Sequence, residues 1–198
     1  MFDSDDFIKL IETEKDIYNY FGNLWGGLDR DSSKDTLISS IYGGSPELIA
    51  KICKIDINVA IMIQSILFHR FPNIRDWIGY VRFEASKKSY IENPFGRRRS
   101  TKDLKTQALM NYPAQSSLAD IKMVVIRDLH DKGLSKYLRL DFHDALVFEI
   151  PDSELNDIAS KIYKTMVKPN IGLYFDNVLK KLNRLNVKMK ISNNLWFK

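Results

Sequence analysis

Apolar residues recur at helical intervals through most of this chain and alternate only near its end. From Asp6 to about Tyr20, Phe7, Ile8, Ile11 and Ile17 share helical spacing behind three acids, Asp3, Asp5 and Asp6, which suit the positive end of a helix. Gly22, Gly26 and Gly27 mark a break. A second helix is predicted from about Asp29 to Tyr42, stopped by Gly43-Gly44. Ser45 then caps a helix with Pro46 in its first turn. Further helices are predicted over Asn58 to Phe71 and Ile74 to Ser86, followed by a short extended segment over Tyr90 to Arg99. A long helix is predicted over Leu118 to His130, capped by Ser117, supported by Asp120 and ended by Gly133, with Leu118, Ile121, Val125 and Leu129 on its buried face.

The period then changes to two. Leu138, Leu140 and Phe142 share one face of a strand, with Arg139 and Asp141 on the other. After His143-Asp144, Leu146, Phe148 and Ile150 alternate with Val147 and Glu149. This is the pattern of a hairpin with one packed and one wet face. Its reversal contains neither Gly nor Asn, the residues that usually supply positive φ, and a turn built on an acid suggests that the acid is used. Helices are predicted from Pro151 to about Val167 and from Leu173 to Leu185, with a last strand over Val187 to Ile191. The class is α+β with an all-helical middle.

Composition narrows the function classes. With 44% hydrophobic and 28% charged residues in 198, the chain is neither disordered nor a coiled coil. No apolar run is long enough to span a bilayer, and the acidic start is unlike a signal peptide. The single cysteine, Cys53, has no partner for an internal disulfide and no metal-ligand spacing around it. It is expected to be a small buried hydrophobe in an intracellular, reducing, cytoplasmic setting. A net charge of +5 permits nucleic-acid binding.

Several segments carry chemistry. Arg30, Lys34, Ile38 and Tyr42 recur every four residues and form one slanting stripe on a helix. Alone, the stripe is an amphipathic helix with solvated cations. Its cationic half could also take phosphates while its apolar half takes a base. Arg97, Arg98 and Arg99 follow a glycine and are either solvated surface or a clamp on a nucleic-acid backbone. Asn111 and Gln115 carry amides suited either to turn formation or to base edges.

Taken in order and spacing, these segments resemble the C-terminal region of family A DNA polymerases over nearly the whole chain. Arg30, Lys34, Ile38, Tyr42 and Gly43 resemble the fingers helix. Phe71-Pro-Asn-Ile-Arg-Asp-Trp77 and Phe95-Gly-Arg-Arg-Arg99 are similar to segments that follow it. Asn111-Tyr-Pro-Ala-Gln115 resembles the family's Asn-x-Pro-x-Gln stretch, His143-Asp144 its catalytic palm hairpin, and Met189 to Trp196 its C-terminal tail.

The resemblance implies a mostly helical fingers subdomain, residues 23–92, inserted in a partial palm. The palm would comprise residues 1–22 and 93–198, with a small antiparallel sheet and the hairpin at 137–150. Arg30 and Lys34 would hold the triphosphate of a dNTP, Ile38 would lie under its base or sugar, and Tyr42 would pack near the templating position. Gly43 and Gly44 would let the fingers hinge. Asn111 and Gln115 would touch primer-template DNA in its minor groove. His143 would lie beside the primer terminus, and Asp144 would ligate catalytic Mg²⁺.

Three departures stand out: Ile38 replaces an aromatic ring, Ala145 replaces a Glu, and Gln107 replaces an Arg. The family's other metal carboxylate would lie upstream of Met1. The expectation is therefore the C-terminal piece of a DNA-directed DNA polymerase that needs an N-terminal polypeptide to supply that Asp. The alternative is a non-catalytic remnant that binds primer-template DNA or a replication protein.

Overall fold

The computed structural model describes residues 5–171, 185 and 187–192. The chain forms two compact units, Met1–Ala114 and Gln115–Lys198. Together their described elements make a mostly helical α+β protein with two small antiparallel hairpins.

The first unit begins with α1 (Asp5–Thr13) and α2 (Ile17–Leu24), where the apolar period predicts one continuous helix. Asp16 causes the break. It adopts extended backbone, and its carboxylate accepts the amides of Tyr18 at 3.0 Å and Asn19 at 3.2 Å, so it starts a new helix instead of continuing the old one. Of the residues expected to face inward on α1 and α2, Phe7 and Ile17 pack against the core, but Ile8 and Ile11 are exposed.

Next come α3 (Arg30–Ile41), α4 (Pro46–Cys53), α5 (Ile57–Arg70) and α6 (Pro72–Lys88); α3, α5 and α6 lie within two residues of their predicted limits, and α4 starts at the predicted Pro46. Asp29, Ser45 and Asp56 cap α3, α4 and α5 through their side chains. At the end of α3, Gly43 turns left-handed at φ +72°. Its amide bonds Ser40 O and that of Gly44 bonds Ser39 O, the paired bonds of a Schellman cap. The extended segment is a hairpin, β1 (Tyr90–Glu92) against β2 (Arg98–Ser100). The core gathers Phe21, Trp25, Leu37, Ile63, Leu67, Phe71, Ile78, Val81, Ile91 and Met110. Its aromatic centre packs Phe21 against Trp25 at 5.0 Å and Phe7 against Phe71 at 5.1 Å.

The long helix, α7 (Thr106–Asp131), starts well before the predicted Leu118 and passes through Pro113. Asn111, Pro113 and Ser117 read locally as turn residues. Burial of Met110 and Leu109 in the first unit's core outweighs that preference and holds the early turns helical. Ser117 is thus inside the helix and is not its N-cap. Ile121, Val125 and Leu129 are buried as predicted, whereas Leu118 is exposed. Gly133, at φ +67°, ends the helix.

The second unit continues with β3 (Leu138–Phe142), β4 (Ala145–Phe148) and α8 (Leu155–Val167), the last preceded by a 3₁₀ turn at Asp152–Glu154. Leu146, Phe148 and Ile150 pack on Val125, Leu129, Tyr137 and Ile162 as the alternation predicts. β3 departs from it. The register shifts between Leu138, paired with Phe148, and Leu140, paired with Val147. Arg139 is the extra residue of a bulge, which moves everything after it to the opposite face. Asp141 therefore pairs with Leu146, and Leu140 and Phe142 are 61% and 63% exposed. The strand predicted over Val187 to Ile191 does not form; residues 187–192 have no regular structure. The helix predicted over Leu173 to Leu185 lies, except for its last residue, outside the described residues.

Two glycines test the packing. A Cβ on Gly22 would meet Leu28 O at 2.3 Å and Ser33 Oγ at 2.8 Å, whereas one on Gly79, in α6, would meet nothing within 4 Å. Gly22→Ala is expected to destabilise the chain by ~1–3 kcal/mol through overpacking. Gly79→Ala is expected to stabilise it by about 0.5–1 kcal/mol through helix propensity. Urea denaturation of both variants checks the contrast, and equal effects would contradict the tight α2–α3 approach.

Candidate nucleotide and nucleic-acid site

Helix α3 presents its stripe because its other side is occupied. Ser33, Thr36, Leu37 and Ser40 face the interior, each 3% exposed or less. Arg30 and Lys34 are exposed, and Ile38 and Tyr42 are half-buried. The inner face is mostly small and polar. Ser33 Oγ donates to Leu28 O at 3.2 Å, and Thr36 Oγ1 lies 3.0 Å from Cys53 Sγ. Gln64 Nε2 donates to Gly44 O at 2.8 Å and Ser40 Oγ at 3.4 Å. Cys53 is therefore a half-buried thiol hydrogen-bonded to α3, not the buried hydrophobe expected. The carbonyl of Gly43 accepts Arg82 Nη2 at 3.2 Å, so an α6 cation ties down the end of the stripe.

Arg30 is held from outside its own helix. Its Nε donates to Asp16 Oδ2 at 2.6 Å, and its guanidinium lies 5.1 Å from the centre of the Tyr18 ring. Hydrogen bonding to Arg30, aided by the amides of Asn19 and Tyr18, holds the Asp16 carboxyl below its ordinary range. Lys34 makes no hydrogen bond or ion pair among the described residues.

The three arginines of the β1–β2 hairpin differ in their contacts. Asn93, buried, accepts the amides of Phe95 at 2.8 Å and Arg97 at 3.0 Å and so shapes the loop. Arg97 is exposed, and its carbonyl accepts the Tyr112 hydroxyl at 3.2 Å. Arg98 pairs with Glu92 at 2.5 Å beside the Tyr90 ring, which raises its pKa. Arg99 lies 5.8 Å from the Tyr112 ring centre. Asn111 and Gln115 are four residues apart on α7. Asn111 Oδ1 is buried with no hydrogen-bond partner among the described residues, and Gln115 is exposed.

In the second unit, His143 and Asp144 form the exposed two-residue reversal of β3–β4. His143 takes φ +52°, a conformation that His adopts more readily than most side chains, and its ring packs edge-on to Phe142 at 4.4 Å. Lys122 of α7 anchors this turn. Its Nζ donates to Asp141 Oδ1 at 2.5 Å and to the His143 carbonyl at 2.8 Å. Because the bulge puts Asp141 on the Leu146 face, Asp141 is bound to Lys122, while Asp144 makes no hydrogen bond or ion pair among the described residues.

The donor set does not by itself fit a pair of divalent cations. No group of three or more His, Cys, Asp or Glu side chains converges among the described residues. Asp144 offers one carboxylate, and Asp141 is already committed to Lys122. Sequence patterning missed Asp16, Tyr18 and Lys122. The Asp16-Ile-Tyr18 stretch lay inside one predicted helix, and Lys122 looked like an ordinary solvated cation. No single described helix is long and apolar enough to cross a membrane.

Residues 1–195 match the sequence profile of DNA polymerase family A, and the chain belongs to that family. The DNA polymerase of Mycobacterium phage L5 is 31% identical over 157 residues, covering 79% of this chain and 26% of that protein. DNA polymerase I of Chloroflexus aurantiacus is 31% identical over 160 residues, covering 71% of this chain and 17% of that protein. The chain thus spans about a quarter or less of the length of these relatives. Among solved structures, the POL domain of Pol1 from M. smegmatis, in complex with DNA primer-template and dNTP, shares the fold. Its TM-score is 0.69 at 24% identity, over 81% of this chain and 32% of that one.

Two outcomes follow from the ion pairs. Asp16 has a depressed folded-state pKa, so its contribution to stability is present above the unfolded carboxylate range and is lost as pH falls through the folded value. The difference in Tm between wild type and Asp16→Asn should therefore be present at pH 7 and close on acidification below pH ~4, where free Asp carboxylates protonate. Scanning calorimetry across that range checks it. Lys122→Met should cost about 1 kcal/mol, the scale of a partly exposed charged hydrogen bond. Hydrogen exchange should show the loss concentrated in Leu140–Val147, and uniform loss across the second unit would contradict the anchoring role.

Proposed function

We propose that this chain is the fingers and partial palm of a DNA-directed DNA polymerase, adding deoxynucleotides from dNTPs to a primer 3′-hydroxyl under template direction. The observation that carries this is the α3 stripe. An exposed Arg30 and Lys34 lead into a half-buried Ile38 and Tyr42 in a chain whose family match covers residues 1–195.

In this reading, residues 23–92 are fingers, and residues 1–22 and 93–198 are palm, with the hairpin at 137–150. Arg30 and Lys34 bind the triphosphate, the first through a planar fork and the second as a point charge. Ile38 lies against the base or sugar, and its aliphatic surface replaces a stacking ring. Tyr42 packs at the templating position beside Gly43, whose left-handed cap marks where the fingers turn. Asn111 and Gln115 read the minor groove, and Arg97 and Arg99 face the backbone. Arg98, being paired with Glu92, contributes less.

His143 stands beside the primer terminus and Asp144 supplies one metal carboxylate. Mg²⁺ is the metal expected, and when bound it would stabilise the attacking and leaving oxygens. We place the second carboxylate on a polypeptide outside residues 1–198. The free thiol of Cys53, bonded to Thr36, suits an intracellular, reducing compartment.

Primer extension by this chain mixed with a polypeptide carrying the acid-bearing palm strand tests the reading. Lys34→Ala should lower kcat/KM by ~10²–10³-fold, the cost of deleting one preorganised charge stabiliser, and Asp144→Ala should abolish synthesis. If no such polypeptide restores extension that depends on Asp144, the catalytic reading fails. Primer-template binding that persists without synthesis would then identify a non-catalytic DNA-binding remnant.

A further inference from the structure

The contacts around Arg30 lie outside the stripe itself. Its guanidinium carries five N–H donors. One, on Nε, is spent on Asp16 Oδ2 at 2.6 Å. The terminal nitrogens make no hydrogen bond among the described residues, and Asp31 Oδ1 lies 3.7 Å from Nη1. The Tyr18 ring packs against the guanidinium at 5.1 Å. Asp16 is fixed in turn, because its other oxygen accepts the amides of Tyr18 and Asn19 at the start of α2. A flexible cation is thereby held on one edge and one face, leaving the edge suited to two parallel bonds with a phosphate.

We propose that Asp16 and Tyr18 form a clamp that pre-aims the Arg30 guanidinium, presenting its terminal nitrogens to phosphate oxygens of a nucleoside triphosphate. The proposal rests on the assignment of Arg30 and Lys34 to the triphosphate. Asp16 and Tyr18 touch no phosphate themselves; they are positioning residues. The Asp16 charge weakens the field that a phosphate feels from Arg30, but holding the guanidinium beforehand removes most of the ordering that binding would otherwise require.

Asp16→Asn isolates this role. Asn caps a helix about as well as Asp, so the start of α2 is kept while the anionic partner of Nε is lost. Titration of the 198-residue chain with dGTP, and separately with inorganic tripolyphosphate, should show about tenfold weaker binding of both by Asp16→Asn, the scale of one lost preorganised side chain. Tyr18→Leu should weaken binding likewise, and Tyr18→Phe, which keeps the ring, should bind as wild type. In an Arg30→Ala background, Asp16→Asn should have no further effect, because its influence passes through Arg30.

Tighter or unchanged binding by Asp16→Asn overturns the clamp and makes Asp16 a competitor or bystander. An equal loss in the Arg30→Ala background also overturns it. If the wild-type chain binds neither probe, or Arg30→Ala binds as wild type, the assignment of Arg30 to the triphosphate fails, and the clamp with it.

Discussion

The first unit depends on how α3 is seated. A helix that buries Ser33, Thr36 and Ser40 cannot rely on apolar area, and each buried hydroxyl left without a partner would cost ~1–3 kcal/mol. Their partners come from separate places: the Leu28 carbonyl before α3, Cys53 at the end of α4 and Gln64 in α5. These bonds are directional, so they fix the rotation of α3 about its axis more tightly than grease would. The small side chains also permit close approach, as the crowding around Gly22 shows. Once that rotation is set, Arg30 and Lys34 must face outward and Ile38 and Tyr42 must lie at the margin.

In the second unit one inserted residue plays the comparable part. Without the bulge at Arg139, strict alternation would put Asp141 on the face away from Leu146 and leave Leu140 on the packed side. With it, Asp141 reaches Lys122, and the same ammonium also takes the carbonyl of His143. The left-handed backbone at His143 is thus held next to a bond that α7 supplies. The exposure of Leu140 and Phe142 is the other consequence of that shift, and it gives this hairpin an apolar outer face beside its acid.

Much of this was legible in the residues. Helix limits from α3 to α6 followed from Asp29, Ser45-Pro46 and Gly43-Gly44, because capping chemistry is local. The family was legible because its motifs keep residue type and order together. Where a local signal opposed a distant one, reading failed. Turn residues around Pro113 lost to burial of Met110, and helical spacing across Asp16 hid a cap. The bulge was invisible because alternation continues through it unbroken in residue type, and only pairing with β4 reveals the slip. The inner face of α3 was missed for a related reason: Ser and Thr do not register in an apolar pattern, although here they are the buried side.

The distribution of pairing sharpens the functional reading. Among the described residues, Arg30 is matched by Asp16, Arg98 by Glu92, Asp141 by Lys122 and Arg139 by Glu149. Lys34 and Asp144 have no hydrogen bond or ion pair among those residues. Unpaired surface charges are common and cost little, so either one alone says little. Their positions say more. Lys34 follows Arg30 by one helical turn on a rigidly seated helix, and Asp144 stands at the apex of a turn pinned by Lys122. In both places the surrounding structure spends its hydrogen bonds on aiming a backbone or a neighbour and leaves one charge without a partner among the described residues. In the function we propose, the counter-charges arrive from outside, a polyphosphate at Lys34 and a divalent cation at Asp144. Asp141, three residues away, is committed otherwise: neutralising Lys122 is what holds the turn in place.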